Sequence, residues 1–443
     1  MKLPKDLKLI NKGFTLIELL VVIGITGILL GLSLFVGNDF YRVYSLTSER
    51  DNLISYIRKA RSRALSNYNQ SAHGFAINGS QYTIFQGSSF TSRSSTWDQT
   101  FNQSPGLTLN WQLQEIQNII SGSYSGNGAD NRTITGAGFK PDAVIIKASS
   151  SQNAVIRFSS MPVGDNSKAL VGSTALEPDV IQSLDSDGFT IGTNIKVNAS
   201  GTIYNWIAFR AAAGDLAVGS YNGNGAVDHD ITGIGFQPEY VIVISSSTNE
   251  AVHRSNTMPK TYFFNAEDGD SGNRIISFDP DGFSVGNSSR VNSNGITYFY
   301  AAWNSSTGKM QNGTYAGNGT DNRSITGVGY QPEYVIIRGQ GLLETAHKSY
   351  STGPASDITM DFRASDNDLD EIQALETDGF QVGTDVQTNG AGTTYHWISF
   401  PTGFKEIIFS PLAATSSASG TIYINDGIST SSIQINYEGG ISW

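Results

Sequence analysis

Lys12-Gly13-Phe14-Thr15-Leu16-Ile17-Glu18-Leu19-Leu20 opens an apolar run that continues to Val36 with Glu18 as its only charge. At about 1.5 Å rise per residue, a helix over 14–36 spans a hydrocarbon core of roughly 30 Å. A carboxylate inside such a segment is expensive and marks function. Lys2, Lys5, Lys8 and Lys12 stand against Asp6 in the segment before it. That basic flank belongs on the cytoplasmic side, which places the rest of the chain outside the cytoplasm.

The stretch Gly13-Phe-Thr-Leu-Ile-Glu-Leu19, followed by Leu20-Val-Val-Ile-Gly-Ile-Thr-Gly-Ile-Leu-Leu30, resembles the N-terminus of a type IV prepilin or type II secretion pseudopilin. The resemblance implies a leader over 1–13, cleavage between Gly13 and Phe14 by prepilin peptidase, and methylation of the new N-terminal Phe14. It assigns filament assembly to Glu18, whose carboxylate would pair with the α-amine of a neighbouring subunit in low dielectric. The implied partners are that peptidase, other pilin subunits and the inner (cytoplasmic) membrane before assembly. The implied final location is a pilus or pseudopilus at the periplasm or cell surface. A secretory signal peptide is cut after its apolar region, whereas this boundary precedes it, so the helix is retained. An ordinary membrane anchor is the plainer alternative. Pilins of this kind often carry a proline near the position of Phe35; none stands there, and Gly31 and Gly37 are the residues left to permit curvature.

Composition narrows the function classes. A net charge of −11 argues against nucleic acid as a partner. The absence of cysteine removes thiol catalysis, thiolate metal sites and disulfides. The 48 glycines, with abundant Ser, Thr and Asn, suit turn-rich β structure.

Past the apolar run, Val43, Leu46, Leu53, Ile54, Ile57, Ala60 and Ala64 recur at helical spacing, with charged residues filling most other positions. One helix is expected to run to about Ser66, apolar first and amphipathic afterwards. Residues 72–77 and 81–85 flank Asn78-Gly79, a strong hairpin signal. The helix end Ala60-Arg-Ser-Arg-Ala64 leading into that hairpin resembles the GspH/FimT minor pseudopilins.

From Gly122 the character changes. Gly122-Ser-Tyr-Ser-Gly-Asn-Gly128 recurs as Gly219-Ser-Tyr-Asn-Gly-Asn-Gly225 and Gly313-Thr-Tyr-Ala-Gly-Asn-Gly319. Each copy continues through Ile-Thr-Gly-x-Gly-(Phe/Tyr)-x-Pro, beginning at Ile134, Ile231 and Ile325, then an apolar run. Each later carries Asp-Gly-Phe, ending at Phe189, Phe283 and Phe380, and closes on an aromatic strand. The period is too long for a solenoid unit and right for a small β-sandwich. The copies, over 122–210, 219–303 and 313–400, resemble a module of phage structural proteins and other large surface proteins. From Gly403 three further strands are expected, over 406–410, 421–425 and 432–437, and they resemble the close of a GspH/FimT domain.

The expected fold class is therefore an α+β pilin domain interrupted by three all-β, sandwich-like repeats. The pilin part is divided into a transmembrane helix over 14–36, a first part over 37–121, and C-terminal strands over 401–443.

Chemistry is sparse. His73, His229, His253, His347 and His396 show no metal-ligand spacing, and no Ser-His-Asp set or phosphate loop is recognisable. No enzyme activity and no cofactor are expected. Calcium is the one ion considered, for the acids Asp185-Ser-Asp187, Asp279-Pro-Asp281 and Asp366-Asn-Asp-Leu-Asp370; the Asp-Gly pairs equally make turns. Arg157, Arg254 and Lys348 fall at equivalent places in the copies and either hold a ligand or pair with an acidic block. Trp206 and Trp397 serve as a sugar platform or as core. The sequence reads as a minor pilin or pseudopilin whose repeats are displayed for surface or substrate binding. The alternatives are a pilus-tip adhesin for glycan or a host surface and a pilin-anchored hydrolase, with glycan or protein as the candidate ligand.

Overall fold

The computed structural model describes residues 16–443, apart from 79–80, 88–89, 91–92, 94, 115–117, 165, 268–271, 306–308, 403–404, 410–411, 414, 417–418, 426–428, 437 and 443. The side chains of 28–41, 78, 110–114, 405–406, 408 and 419–421 are also outside the described set. The chain divides into two compact units, one of 1–86, 96–114 and 407–443, the other of 87–95 and 115–406.

In the first unit a helix of 50 residues runs from Leu16 to Leu65. Of the periodic set, Leu46, Leu53, Ile54, Ile57, Ala60 and Ala64 are buried on one face, as the spacing predicts, while Val43 is exposed. Beyond Leu65, Asn67 turns left-handed at φ 52° and ends the helix. The hairpin follows as His73–Asn78 and Gln81–Gln86, with Phe75 opposite Ile84. Gln99–Asn102 continues the antiparallel pairing on one side, and Lys405–Phe409 adds a fourth strand beside His73–Asn78. A second four-stranded sheet is ordered Ile441–Ser442, Thr430–Ile435, Ser419–Asn425, Thr108–Gln114. Its edge strand Thr108–Gln114 pairs with a segment some three hundred positions later in the chain, Ile422 lying opposite Trp111. Phe75, Ile77, Ile84, Ile407, Phe409, Ile422, Ile424, Ile433 and Ile435 share one core with the helix face. Inside it the buried carboxylate of Glu49 accepts from the Tyr82 hydroxyl and, at 2.6 Å, from Ser104 Oγ.

Among the described residues no helix is long and apolar enough to cross a membrane. The span expected over 14–36 lies partly outside them.

In the second unit each of the three recurring stretches builds a five-stranded and a three-stranded antiparallel sheet in the same strand order. In the first, the large sheet is Ile119–Ser125, Ile203–Phe209, Ala143–Ala148, Val155–Phe158, Lys168–Ala169, and the small one Ile181–Asp185, Gly188–Ile191, Arg132–Thr135. The first strand begins at Ile119 rather than Gly122. Short helical turns, Ile195–Asn198, Ser289–Asn292 and Val386–Asn389, interrupt the otherwise all-β pattern. Their N-caps Asn194, Ser288 and Asp385 each accept a main-chain N–H with the side chain.

The central strands Ala143–Ala148, Tyr240–Ser245 and Pro332–Gly339 are buried along their whole length. A continuous apolar strand is what a sheet covered on both faces requires. One face meets the small sheet of its own repeat, as with Val144, Ile146 and Ala148. The other enters a single core to which all three repeats contribute, including Ile145, Ile242 and Ile336. At its centre stand the equivalent residues Phe209, Trp303 and Phe400. Their ring centroids lie 5.3, 5.1 and 5.7 Å apart, close to an equilateral triangle. Main-chain bonds link neighbours in cyclic sense, Ala154 N–H to Phe362 O and Thr345 N–H to Phe264 O. The repeats are therefore three sectors of one pseudo-threefold body, where the sequence predicts three separate modules.

Candidate functional site

Gly13 and Phe14, the expected cleavage and methylation residues, lie outside the described residues. Glu18 sits in the first turn of the long helix. Around it Leu16, Ile17, Leu19, Leu20, Val21, Val22, Ile23 and Ile25 are all exposed. A helix apolar on every side needs lipid or other helices around it. Thr26 satisfies its hydroxyl internally by donating to Val22 O at 2.6 Å, which suits such a setting. Farther along the same helix the apolar residues are buried in the first unit's own core. One continuous helix thus presents an unburied apolar end and a buried one.

The cations read as holding a ligand or pairing with an acidic block are turned inward. Arg157 is buried and donates to the carbonyls of Asn166, Ile181 and Pro162. Arg254 donates to the carbonyls of Ile275 and Ile276. Lys348 reaches the carbonyls of Ser356 and Ile358, each at 2.6 Å, and its burial pulls the ammonium pKa down to about 8. All three pin the crossing segment between the large and small sheets. Trp206 and Trp397 are 4% and 8% exposed and pack edge-on to Phe189 and Phe380. Each indole lies over a glycine of the neighbouring strand; a Cβ on Gly122 would come within 2.3 Å of Trp206. That close approach accounts for the glycine that begins each recurring Gly-(Ser/Thr)-Tyr block.

The Asp-Gly acids make turns. Asp187 accepts from the N–H groups of Gly136 and Gly138, and Asp281 and Asp378 hold the corresponding pairs. Asp185 and Asp279 accept from neighbouring hydroxyls. Of the acidic segment 366–370, Asp368 behaves differently: one of its oxygens lies within 4.8 Å of oxygens of Asp361 and Glu371.

The Asn-x-x-Gly-x-x-Tyr pattern that marks the module resemblance contains residues that hold each sector together, a role the sequence reading did not assign. Buried Asn198, Asn292 and Asn389 accept from the main-chain N–H of the Gly-Asn-Gly turn and donate back to Ala129 O, Ala226 O and Thr320 O. Tyr204, Tyr298 and Tyr395 clamp the helical turn from the other side, Tyr204 donating to Ile195 O at 2.6 Å and accepting from Ala199 N–H at 2.8 Å. Their Asn-x-x-Gly-x-x-Tyr spacing was the available signal. Asp361 and Glu371 carry no such signal, because neither belongs to a shared block.

Residues 208–305, which cover the second sector, match a domain of unknown function (DUF7483). No curated protein matches the chain. Residues 10–34 match the prokaryotic N-terminal methylation motif, which implies processing by prepilin peptidase and assembly with other pilins. The chain thus carries the N-terminus of a type IV pilin-like precursor.

Proposed function

We propose that this protein is a minor pilin or pseudopilin subunit whose three-sector body is displayed from a type IV pilus or type II secretion filament. The carrying observation is one helix with two fates. Its first turns carry the methylation motif and expose apolar side chains all round. Its later turns are buried against strands drawn from both ends of the chain. A subunit anchored in lipid needs the first property, and so does one packed among other helices in a filament; the second gives it a rigid head. The GspH/FimT-like reading of that head rests on Ala60 and Ala64, whose small side chains let the sheet approach the helix closely. Glu18 takes the assembly role, its carboxylate meeting the methylated amine of Phe14 on a neighbouring subunit. The three-sector body binds a surface or secretion substrate without turning it over.

The test is processing. In cells with the peptidase, wild-type protein is expected to begin at N-methylated Phe14, whereas Gly13→Leu stays as the full precursor. Glu18→Ala is expected to be cleaved and inserted but poorly incorporated into filaments. Mass spectra showing an intact leader on filament-borne protein overturn the reading.

A further inference from the structure

The three sectors differ sharply at one place. Ala169, Phe263 and Asp361 hold the same register, opposite Val155, Val252 and Ala346. Ser167, Thr261 and Thr359 bond through their hydroxyls to the carbonyls of Ile181, Ile275 and Ile372. The residues just before those isoleucines, Val180, Arg274 and Glu371, are therefore equivalent too. Glu177 and Asp368 form the same bridge, to Ser167 and to Thr359.

The first sector puts Ala169 and Val180 here, and its one acid, Glu177, is ion-paired with Lys196. The second stacks the guanidinium groups of Arg274 and Arg290 on Phe263, at 4.3 and 4.7 Å. The third has Asp361, Asp368 and Glu371, and Gln387 where the first has Lys196. Against the first sector, carboxylates stand at the places of Ala169 and Val180, Gln387 replaces Lys196, and Arg363 brings a cation to the place of Val171.

Asp361 and Glu371 are 1% and 2% exposed. Asp361 Oδ1, Asp368 Oδ2 and Glu371 Oε2 are buried with no hydrogen-bond partner. Glu344, also buried, adds a further unpartnered oxygen beside them. Arg363 lies at the rim, its Nε 3.1 Å from Asp361 and 3.4 Å from Glu344. Lys147 Nζ, from the first sector, is engaged by the carbonyls of Ala148, Ser150 and Ser365. Arg363 at the rim, with Lys147 and Arg338 acting at longer range, leaves these oxygens without hydrogen bonds, and burying so many carboxylates is costly unless they take up protons or a cation joins them.

We propose that Asp361, Asp368 and Glu371 bind a calcium ion. All donors are hard oxygens, which excludes a preference for zinc or copper. Calcium takes six to eight oxygens in flexible geometry at about 2.4 Å and so accepts an irregular carboxylate set, whereas magnesium demands near-ideal octahedral geometry and gives up its waters reluctantly. One oxygen from each of the three residues falls within 4.8 Å of the others. The site sits on the third sector alone, and it stands whether or not the chain is a filament subunit.

The experiment is calorimetric titration of the full-length protein in detergent, stripped with EDTA and dialysed, alongside thermal unfolding with and without calcium. One saturable site per chain is expected, with a Kd on the order of 0.1–1 mM, as in extracellular calcium modules. Unfolding should shift upward with calcium and less with magnesium. Glu371→Gln should weaken binding by about tenfold or more. In EDTA it should be as stable as wild type or more so, since it relieves repulsion; a merely structural carboxylate would give the opposite. Asp361→Asn is read in the same way, and Glu177→Gln in the first sector should leave calcium binding unchanged. No saturable heat from the wild type at about 10 mM calcium overturns the proposal. So does undiminished binding in Glu371→Gln, or magnesium binding as tight as calcium.

Discussion

His253 and His347 occupy the place where the first sector has Ile156, and both are buried among aromatic rings. His253 stacks on Phe264 at 4.3 Å and His347 on Phe362 at 4.1 Å. Tyr240 and Arg338 also face His253, and Tyr334 and Lys147 face His347. Burial, reinforced by those cations, pulls each imidazole pKa down to about 3. The unfolded value is about 6.5. Between these limits the unfolded chain binds protons that the native one refuses, so stability is full above pH 6.5 and is lost as pH falls towards 3. The unfolding temperature of wild type is therefore expected to drop faster over this window than that of a His253→Leu/His347→Leu variant. Parallel curves would show that the two imidazoles are not excluded from solvent. Neither residue was legible as core, because a histidine in sequence reads equally as ligand, base or surface group. The methylation motif over 10–34 was legible, since a boundary glycine and one acid in an apolar run form a pattern that needs no tertiary context.

At the scale of the element, local periodicity carried most of the information. The helical spacing from Leu46 to Ala64 and the Asn78-Gly79 turn predicted a helix and hairpin that the structure places within a residue or two. The return of strand character after Gly403 said only that the last strands rejoin the first part, and the pairing of Thr108–Gln114 with Ser419–Asn425 was not legible. The strands at both ends of the second unit belong to its own sheets, so the natural deletion removes 115–406. A variant joining Gln114 to Ile407 through a short Gly-Ser linker is expected to fold, because both four-stranded sheets keep their strands, Lys405–Phe409 in the shortened form 407–409. Its far-ultraviolet dichroism should show relatively more helix, with a cooperative thermal transition. Aggregation of this variant beside a well-behaved full chain would mean that the second unit is needed for the first to fold.

At the scale of the whole molecule the arrangement was only partly legible, for a physical reason. An apolar run such as Ala143–Ala148 announces a strand buried on both faces but does not say what covers the second face. Here the cover is two other copies of the same motif, and the common core ties their stabilities together. Phe209→Ala removes one corner of the central aromatic triangle. It should cost about 3–5 kcal/mol. Hydrogen exchange should then quicken in the central strands of the second and third sectors as well as the first. Loss of protection confined to the first would show that the sectors unfold independently.

A ring of three identical chains repeats every substitution three times, so a change tolerable once but harmful in triplicate is closed to it. Joining the sectors covalently lifts that restriction. Position 361 and its counterparts have already taken alanine, phenylalanine and aspartate without opening the ring. A single mutation in this chain alters one third of the circumference and leaves the other two as a scaffold, so the body can acquire a new surface feature one side at a time.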